Sequence, residues 1–359
     1  MTRAIDVLVV SLGATPGLRT VDDQFAGLLR EVGASVELVR PPRPRDVRTL
    51  MLTDLVQARA CAAVARQALR EVEPSAIVYC STTAALRWPR PGAIRFDALA
   101  QRTRPGHHGL WQRPIEARRL GQASTLLPQS EVALDGAAPA DRDRAVVVPV
   151  AIEPHAEPSK AVHAAVDELL APLIAGRLGA AAVAYASDPV KKGLDRVIAA
   201  WDAVRKEGEV LLVAGHDALP PDVAGREGVL DVGRVPREVF RALVRAVGTL
   251  VIAPRREDYG LVQLEALAEG ARVVTTVAPG PYAALPLIRT LWPEQVVDRP
   301  DDLSALGRAL RLAVDARPDA AEALRAAHAV GEYSHEAVLA VVRDRVLPAL
   351  LGSAGNGAR

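Results

Sequence analysis

Residues 254–270 read PRREDYGLVQLEALAEG and follow the apolar run TLVIA at residues 249–253. The apolar run is typical of a buried strand, and the residues after Gly260 are typical of a helix. Glu257 and Asp258 lie on the loop between them, and Glu265 lies on the helix, eight positions after Glu257. This stretch predicts one strand–loop–helix unit of an α/β fold, with carboxylates on both sides of the helix start.

The start of this helix suits a ligand with phosphate groups. A helix N-terminus carries N–H groups without partners and a partial positive charge. Glu265 lies more than one turn further in, among apolar positions such as Leu261 and Leu264, where an unsatisfied charge is costly. The paired hydroxyls of a ribose match a carboxylate acceptor. The alternative is an acidic residue favoured by the helix dipole together with a solvent-facing Glu.

The same alternation of strand-like runs and helical stretches occurs in two series, from about residue 6 to 150 and from about 180 to 314. Between residues 87 and 119 the pattern breaks up into Pro, Gly and Arg. The runs show little polar alternation, as expected of parallel strands covered by helices on both faces. The sequence predicts an α/β protein with two Rossmann-like domains, whose parallel sheets face each other across a ligand-binding cleft.

The composition allows two soluble domains and argues against several other classes of protein. Of the 359 residues, half are apolar and 24% are charged, with a net charge of +1. This balance gives no case for a general nucleic-acid or membrane-surface protein. Cys61 and Cys80 are too few for a disulfide scaffold or a cysteine metal site. No signal peptide and no run of about 20 apolar residues is visible, so a cytoplasmic location is expected.

The segment from Glu257 to Ala268 resembles the E-x7-E signature of the GT4-like retaining glycosyltransferases (glycosyl transferases group 1). In that family a Glu-Gly-Phe-Gly-Leu core runs into Leu-Glu-Ala-Met-Ala. Glu257, Gly260 and Glu265 fit the pattern, Tyr259 keeps the aromatic position, and Asp258 replaces the usual Gly. The resemblance implies a GT-B fold, a nucleoside-diphosphate sugar as donor, and transfer with retention of anomeric configuration.

Other segments of the C-terminal half are similar to the same family. Residues 188–194, DPVKKGL, match its Lys-Gly loop, so that Lys192 is implied to contact the donor diphosphate. Glu257 is implied to position the donor sugar. A glycine loop after the first strand matches in position the loop that faces the donor, although a tight turn is the more common explanation of such glycines. The implied donor-binding residues are Gly17, Lys192, Gly215, Arg234, Asp258, Tyr259, Gly260, Leu261 and Glu265.

The sequence departs from the family pattern in two places. Where the family usually has an Arg shortly before the Lys-Gly pair, this chain has Tyr185 and Ala186. Arg196, Arg255 or Arg256 is therefore a candidate substitute. Residues 278–282 read APGPY instead of the family's Gly-Gly-x-x-Glu. How the second phosphate and the sugar are held is therefore open.

We call residues 81–120 the basic segment, because they contain eight arginines against two acids, a local charge of +6. Trp88, Phe96 and Trp111 are interleaved with the arginines. A solvated loop with salt bridges is one interpretation; an anionic acceptor, a lipid diphosphate or a membrane headgroup is another, and stacking on single-stranded nucleic acid is a weaker third. The family's His near the reacting sugar is missing here, and Arg95 and Asp97 are the candidates for the acceptor side.

The sequence thus predicts a retaining glycosyltransferase with catalytic residues Glu257, Lys192, Arg95 and Asp97. The donor is a nucleotide sugar, the acceptor is anionic or lipid-linked, and peripheral contact with the inner face of a membrane is allowed for. No metal, no other cofactor and no nucleic acid are expected. The alternatives are a GT-B nucleotide-sugar epimerase acting on the donor alone and a two-domain ligand-binding protein. The expected domains are residues 1–155, on which a final helix at 334–350 packs, and residues 156–333.

Overall fold

The computed structural model describes residues 2–42, 47, 49–152 and 157–352 and divides them into two compact units. Unit 1 contains the residues up to Ala151 and the segment from His335 onward, and unit 2 is Ile152–Ser334. The predicted boundary between residues 155 and 156 lies outside the described residues. Each unit contains one parallel sheet with helices, so the predicted α/β class with two Rossmann-like sheets is confirmed.

All the described strands pair in parallel, which fits their apolar, weakly alternating sequences. The sheet of unit 1 has the order β2-β1-β3-β4-β5, and that of unit 2 has the order β11-β10-β9-β6-β7-β8. The strands are β1 Arg3–Ser11, β2 Val36–Val39, β3 Val72–Cys80, β4 Ala93–Phe96, β5 Leu126–Pro128, β6 Gly179–Tyr185, β7 Glu209–Ala214, β8 Val229–Gly233, β9 Thr249–Ile252, β10 Arg272–Thr276 and β11 Val296–Val297.

Helices connect the strands and cover the sheets. In unit 1 they are α1 Pro16–Glu31, α2 Leu50–Glu71, α3 Thr82–Ala85, α4 Ala100–Thr103, α5 Gln112–Gln122 and α6 Pro139–Asp143. In unit 2 they are α7 Lys160–Ala175, α8 Leu194–Val204, α9 Arg237–Val247, α10 Leu261–Ala268, α11 Ala284–Leu291, α12 Leu303–Asp315 and α13 Ala320–Ala329. The described part of the chain ends with α14 His335–Val341, a π-helical turn at Val342–Val346, and α15 Leu347–Gly352, all within unit 1.

Strand β1 shows why the strands are apolar on both faces. Leu8 and Val10 pack into a core on one side of the sheet, and Val7 and Val9 pack into a second core on the other side. The helical segment from His335 to Gly352 completes this second core with side chains spaced four residues apart, as a helix requires for one buried face. These side chains are Val338, Val342, Val346 and Leu350.

The basic segment is more regular than its sequence indicates. The broken pattern between residues 87 and 119 contains strand β4 and most of α5. Trp88 and Phe96 are buried in the core of unit 1. The pattern does not show β4, because a four-residue strand is too short to show a period in the sequence.

Among the described residues, no helix combines the length and the apolar character needed to cross a membrane.

Candidate functional site

Two adjacent ion pairs lie beyond the carboxyl ends of the neighbouring strands β6 and β9 in unit 2. Lys192 Nζ lies 2.7 Å from Glu257 Oε2, and Lys191 Nζ lies 3.0 Å from Asp258 Oδ2. The loops that carry them run side by side, since the backbone N–H of Arg255 donates to the Lys191 carbonyl at 2.9 Å. The structure therefore brings together Lys192, Glu257 and Asp258, which the sequence singled out.

The Lys192–Glu257 pair is buried and the neighbouring pair stays charged. The side chains of Lys192 and Glu257 are 13% and 6% exposed, so removing one partner would leave an uncompensated charge at a cost of about 3–5 kcal/mol. Burial lowers the pKa of Lys191, but the Asp258 carboxylate outweighs it and the net pKa is raised. Burial raises the pKa of Asp258, but Lys191 and Arg256 outweigh it and the net pKa is lowered.

Two helix starts adjoin the ion pairs. Helix α8 follows Gly193 and α10 follows Gly260, whose φ angles of +67° and +87° lie in the left-handed region that favours glycine. A Cβ on Gly193 would lie 1.8 Å from the Ala253 carbonyl oxygen, so no side chain fits there. Neither helix start has a side-chain cap. The partial positive charge of both helix starts adds to that of the lysines, which favours a phosphate group.

Glu265 lies on α10 as predicted, and it forms an ion pair. Its side chain is 5% exposed, and Arg237 Nε on α9 donates to Oε1 at 2.5 Å. Burial raises the pKa of Glu265, and the charge of Arg237 opposes this rise. Directly after the end of α10, Glu269 pairs with Arg241 and Arg245. The two helices are thus joined by a row of ion pairs, of which Glu265 is the member nearest the start of α10.

Tyr185, at the end of β6, occupies the position where the similar family has an Arg. Its ring packs against Phe240 with 5.2 Å between ring centroids and lies over Gly215. Burial raises the pKa of the Tyr185 phenol, and the Glu265 and Glu257 carboxylates raise it further, so the hydroxyl keeps its proton at neutral pH. A hydrogen-bond donor therefore lies within the field of both carboxylates.

The other predicted donor residues of unit 2 have varied surroundings. Arg234 is half exposed and donates to both carboxylate oxygens of Asp217, at 2.6 and 2.9 Å. Tyr259 is buried and its ring lies edge-on to Tyr333 with centroids 6.4 Å apart. Leu261 is the first residue of α10 and is half-buried.

Gln263 and Tyr282 are site residues that the sequence analysis did not select. Gln263 is fully buried, and its Nε2 lies 3.3 Å from Glu257 Oε2 and 3.1 Å from Tyr282 Oη. Tyr282 Oη lies 2.6 Å from Thr275 Oγ1. Tyr282 has a φ of +37°, a strain of about 1–3 kcal/mol that persists only where the surroundings enforce it. The signal that pointed to Glu265, a polar residue on an apolar helix, also applies to Gln263.

Residues 180–311 match the family model of the glycosyl transferases group 1. The chain resembles the group 1 glycosyltransferases. The resemblance predicted from the E-x7-E segment is thereby confirmed, over a region that contains Lys192, Glu257 and Glu265. No curated protein matches the chain.

Solved glycosyltransferase structures share the fold across nearly the whole chain. WaaG, a glycosyltransferase involved in lipopolysaccharide biosynthesis, is 16% identical with a TM-score of 0.67, covering 97% of this chain and all of WaaG. HepE of Anabaena, in complex with UDP-glucose, is 15% identical with a TM-score of 0.65, covering 97% and 100%. The UDP-forming α,α-trehalose-phosphate synthase of Burkholderia xenovorans, with glucose-6-phosphate, is 13% identical with a TM-score of 0.63, covering 97% and 99%. The predicted GT-B fold is confirmed.

Unit 1 of this GT-B protein carries the remaining predicted residues, Gly17 in the first turn of α1, Arg95 in β4 and Asp97 directly after it. Arg95 is 3% exposed; its Nη1 lies 3.8 Å from Asp22 Oδ1, and its guanidinium carbon lies 4.9 Å from the Phe25 ring centroid. Arg95 is therefore held inside unit 1.

Asp22 is the buried acid that faces Arg95. Ser11 Oγ donates to its Oδ2 at 2.5 Å. Burial raises the pKa of Asp22 to about 6, although the charge of Arg95 opposes this rise. A carboxylate therefore titrates inside unit 1 at mildly acidic pH.

Most arginines of the basic segment bond within unit 1. Arg119 lies over the Trp88 ring at 5.2 Å, while Arg87 and Arg118 are exposed and form no ion pair within the described part of the chain. The salt-bridge interpretation thus accounts for Arg95, Arg102 and Arg104, three of the eight arginines. The internal partnerships are Arg102 with Asp135, Arg104 with Asp54 at 2.7 and 2.9 Å, and Arg113 with the Gly106 carbonyl at 2.7 Å.

Among the described residues, no three His, Cys, Asp or Glu side chains are grouped so that they could hold a metal ion.

Proposed function

We propose that the protein transfers a sugar from a nucleoside-diphosphate sugar to an acceptor hydroxyl with retention of anomeric configuration. The observation that carries this proposal is the buried Lys192–Glu257 pair between the starts of α8 and α10. A lysine and two helix N-termini suit a diphosphate, and a carboxylate beside them suits the sugar attached to it. The similarity to HepE, whose structure contains UDP-glucose, supports a donor of this class.

In the proposed reaction, the bond between the anomeric carbon and the diphosphate oxygen breaks while the acceptor oxygen bonds to the same face of that carbon. The acceptor's proton passes to the departing diphosphate. Lys192 and the helix N-termini stabilise the negative charge that develops on the diphosphate, and Glu257 faces the positive charge that develops on the sugar. Tyr185 donates a hydrogen bond to the diphosphate at the position where similar enzymes use an Arg. Glu265 binds the ribose hydroxyls.

The acceptor is proposed to be anionic or lipid-linked and to bind to unit 1, and the proposed location is cytoplasmic with peripheral contact to the inner face of a membrane. Arg87 and Arg118 support an anionic partner, because they are exposed and carry no internal ion pair in the described ranges. If the proposal is right, the acceptor's KM rises with salt concentration, since salt screens exposed charges. A KM that does not change between low and high salt would indicate that these arginines serve solubility alone and do not bind the acceptor.

Titration calorimetry with UDP, GDP and ADP tests the donor site directly. One of these should bind in the micromolar range, and its sugar conjugates should then be turned over, with release of the nucleoside diphosphate. NMR of the product gives the anomeric configuration relative to the donor, and an inverted product would contradict retention. Release of an epimerised sugar without any acceptor would identify the epimerase alternative. Absence of binding for all three diphosphates would overturn the proposal.

A further inference from the structure

The two carboxylate oxygens of Glu257 have different surroundings. Oε2 receives hydrogen bonds from Lys192 Nζ at 2.7 Å and from Gln263 Nε2 at 3.3 Å. Oε1 has no hydrogen-bond partner among the described residues, and it does not belong to the unpartnered side-chain atoms that are shut off from solvent. One oxygen is therefore held and the other is accessible.

The side-chain amide of Gln263 can donate to Glu257 in only one orientation. Nε2 also lies 3.1 Å from Tyr282 Oη, which lies 2.6 Å from Thr275 Oγ1, and Thr275 donates in turn to the Thr276 carbonyl at 3.4 Å. The Gln263 amide, the Tyr282 phenol and the Thr275 hydroxyl thus form one series of hydrogen-bond donors. The series ends on the Thr276 carbonyl, which accepts. Rotating the amide by 180° would place its oxygen against the Glu257 carboxylate, which is repulsive.

All members of this series are buried and neutral. Gln263 and Thr275 have no exposed surface, and Tyr282 is 2% exposed. Burial raises the pKa of the Tyr282 phenol, so it stays protonated. The series can therefore orient the Glu257 carboxylate without neutralising its charge. Lys192, in contrast, both orients the carboxylate and neutralises its charge. If Lys192 leaves Glu257 for a phosphate, Gln263 still holds the carboxylate.

We propose that Gln263 and Tyr282 are positioning residues, which fix Oε2 of Glu257 so that Oε1 is presented to a hydroxyl of the donor sugar. The proposal rests on the proposed function of this site. It also gives a role to the APGPY segment, in which Tyr282 stands where the similar family has Gly-Gly-x-x-Glu. The Tyr282 ring lies against Gly260, so the same residue connects the start of α10 to Glu257.

The substitution Gln263→Met tests this proposal, because it removes the amide and keeps the length of the side chain. We expect the affinity for UDP to stay within about twofold, since Glu257 faces the sugar and not the nucleotide. The extra affinity for UDP-glucose over UDP should be lost, and kcat for UDP-glucose hydrolysis should fall by roughly 10- to 100-fold, the range for one hydrogen bond to a charged group. Tyr282→Phe, which removes the phenol between Gln263 and Thr275 and leaves the Gln263 amide in place, should lower kcat by a smaller factor.

A double-mutant cycle separates positioning from a merely structural role. In a Glu257→Gln background, Gln263→Met should have almost no further effect on kcat or on the preference for UDP-glucose over UDP. A full second loss in that background would show that Gln263 does not act through Glu257 and would overturn the proposal. If Gln263→Met fails to fold, Tyr282→Phe serves as the test instead. A Tyr282→Phe variant with the kcat of wild type and the same preference for UDP-glucose over UDP would overturn the proposal.

Failure of the proposed function and failure of the positioning role give different experimental results. A wild-type protein that neither binds UDP, GDP or ADP nor hydrolyses their glucose conjugates contradicts the proposed function. A wild type that does both, with a Gln263→Met variant within twofold of it in every measurement, contradicts only the positioning role.

Discussion

Replacing Glu265 with Gln tests the ribose contact with little change in shape. The Glu265 side chain is 5% exposed and its partner Arg237 is 35% exposed, so Arg237 can turn to solvent when the charge is removed. A hydrogen bond to a charged group contributes about 1.5–3 kcal/mol and one to a neutral group about 0.5–1.5 kcal/mol. The difference of about 1–2 kcal/mol predicts a Kd for the nucleoside diphosphate that rises roughly 5- to 30-fold.

Glu269→Gln is the matched control, because Glu269 caps the end of α10, four positions after Glu265. It pairs with Arg241 and Arg245, and Arg241 is only 10% exposed. Its loss leaves a buried guanidinium with a weakened partner, so it should lower the free energy of unfolding more than Glu265→Gln does and leave nucleotide affinity unchanged.

Titration calorimetry with UDP gives the Kd of each variant, and urea unfolding gives its free energy of unfolding. An unchanged Kd in Glu265→Gln would refute the ribose contact. An equal loss of affinity in Glu269→Gln would show that the whole row of ion pairs, rather than Glu265, supports binding.

Three further predictions concern single groups and added chelator. Lys192→Ala should lower kcat by roughly 100-fold or more and Lys191→Ala by much less, because Lys192 is paired with Glu257 and Lys191 with Asp258; steady-state rates in the reverse order would assign the phosphate to Lys191. Asp22, whose pKa burial raises to about 6 from 3.8, should make the protein less stable by up to about 3 kcal/mol as pH rises from 4 to 7, because the folded state binds the proton more tightly; urea unfolding should show this slope in wild type and not in Asp22→Asn. Turnover should be unchanged in EDTA, since Lys192 and the helix starts supply the positive charge; a loss restored by magnesium or manganese would contradict this.

The alternation of strands and helices was predictable because parallel strands are buried on both faces and so appear as apolar runs. The apolar pattern does not show strand β4, since this strand is four residues long and contains Arg95. An arginine in a strand looks like a surface residue in the sequence. It is buried here only because Asp22, from a different part of the chain, lies beside it and the Phe25 ring lies under it.

The site was predictable where its residues are neighbours in sequence. Glu257, Gly260 and Glu265 lie on one loop and one helix, and their spacing alone places them around a helix start. The contact between Lys192 and Glu257 spans 65 positions, and that between Gln263 and Tyr282 spans 19, so both depend on how the strands are ordered in the sheet. Asp258, a departure from the family pattern, has an evident role only once its contact with Lys191 is known.

The division of unit 1 into two stretches of chain sets the order in which the protein can fold during its synthesis. Unit 2 is continuous, and all of it is synthesised before the segment from His335 onward. Until then, Val7, Val9 and Phe25 lack the apolar face that Val338 and Val342 provide. The stretch of unit 1 that is synthesised first is therefore the last to complete its core, and an apolar surface stays open on the nascent protein until the segment from His335 onward has been made.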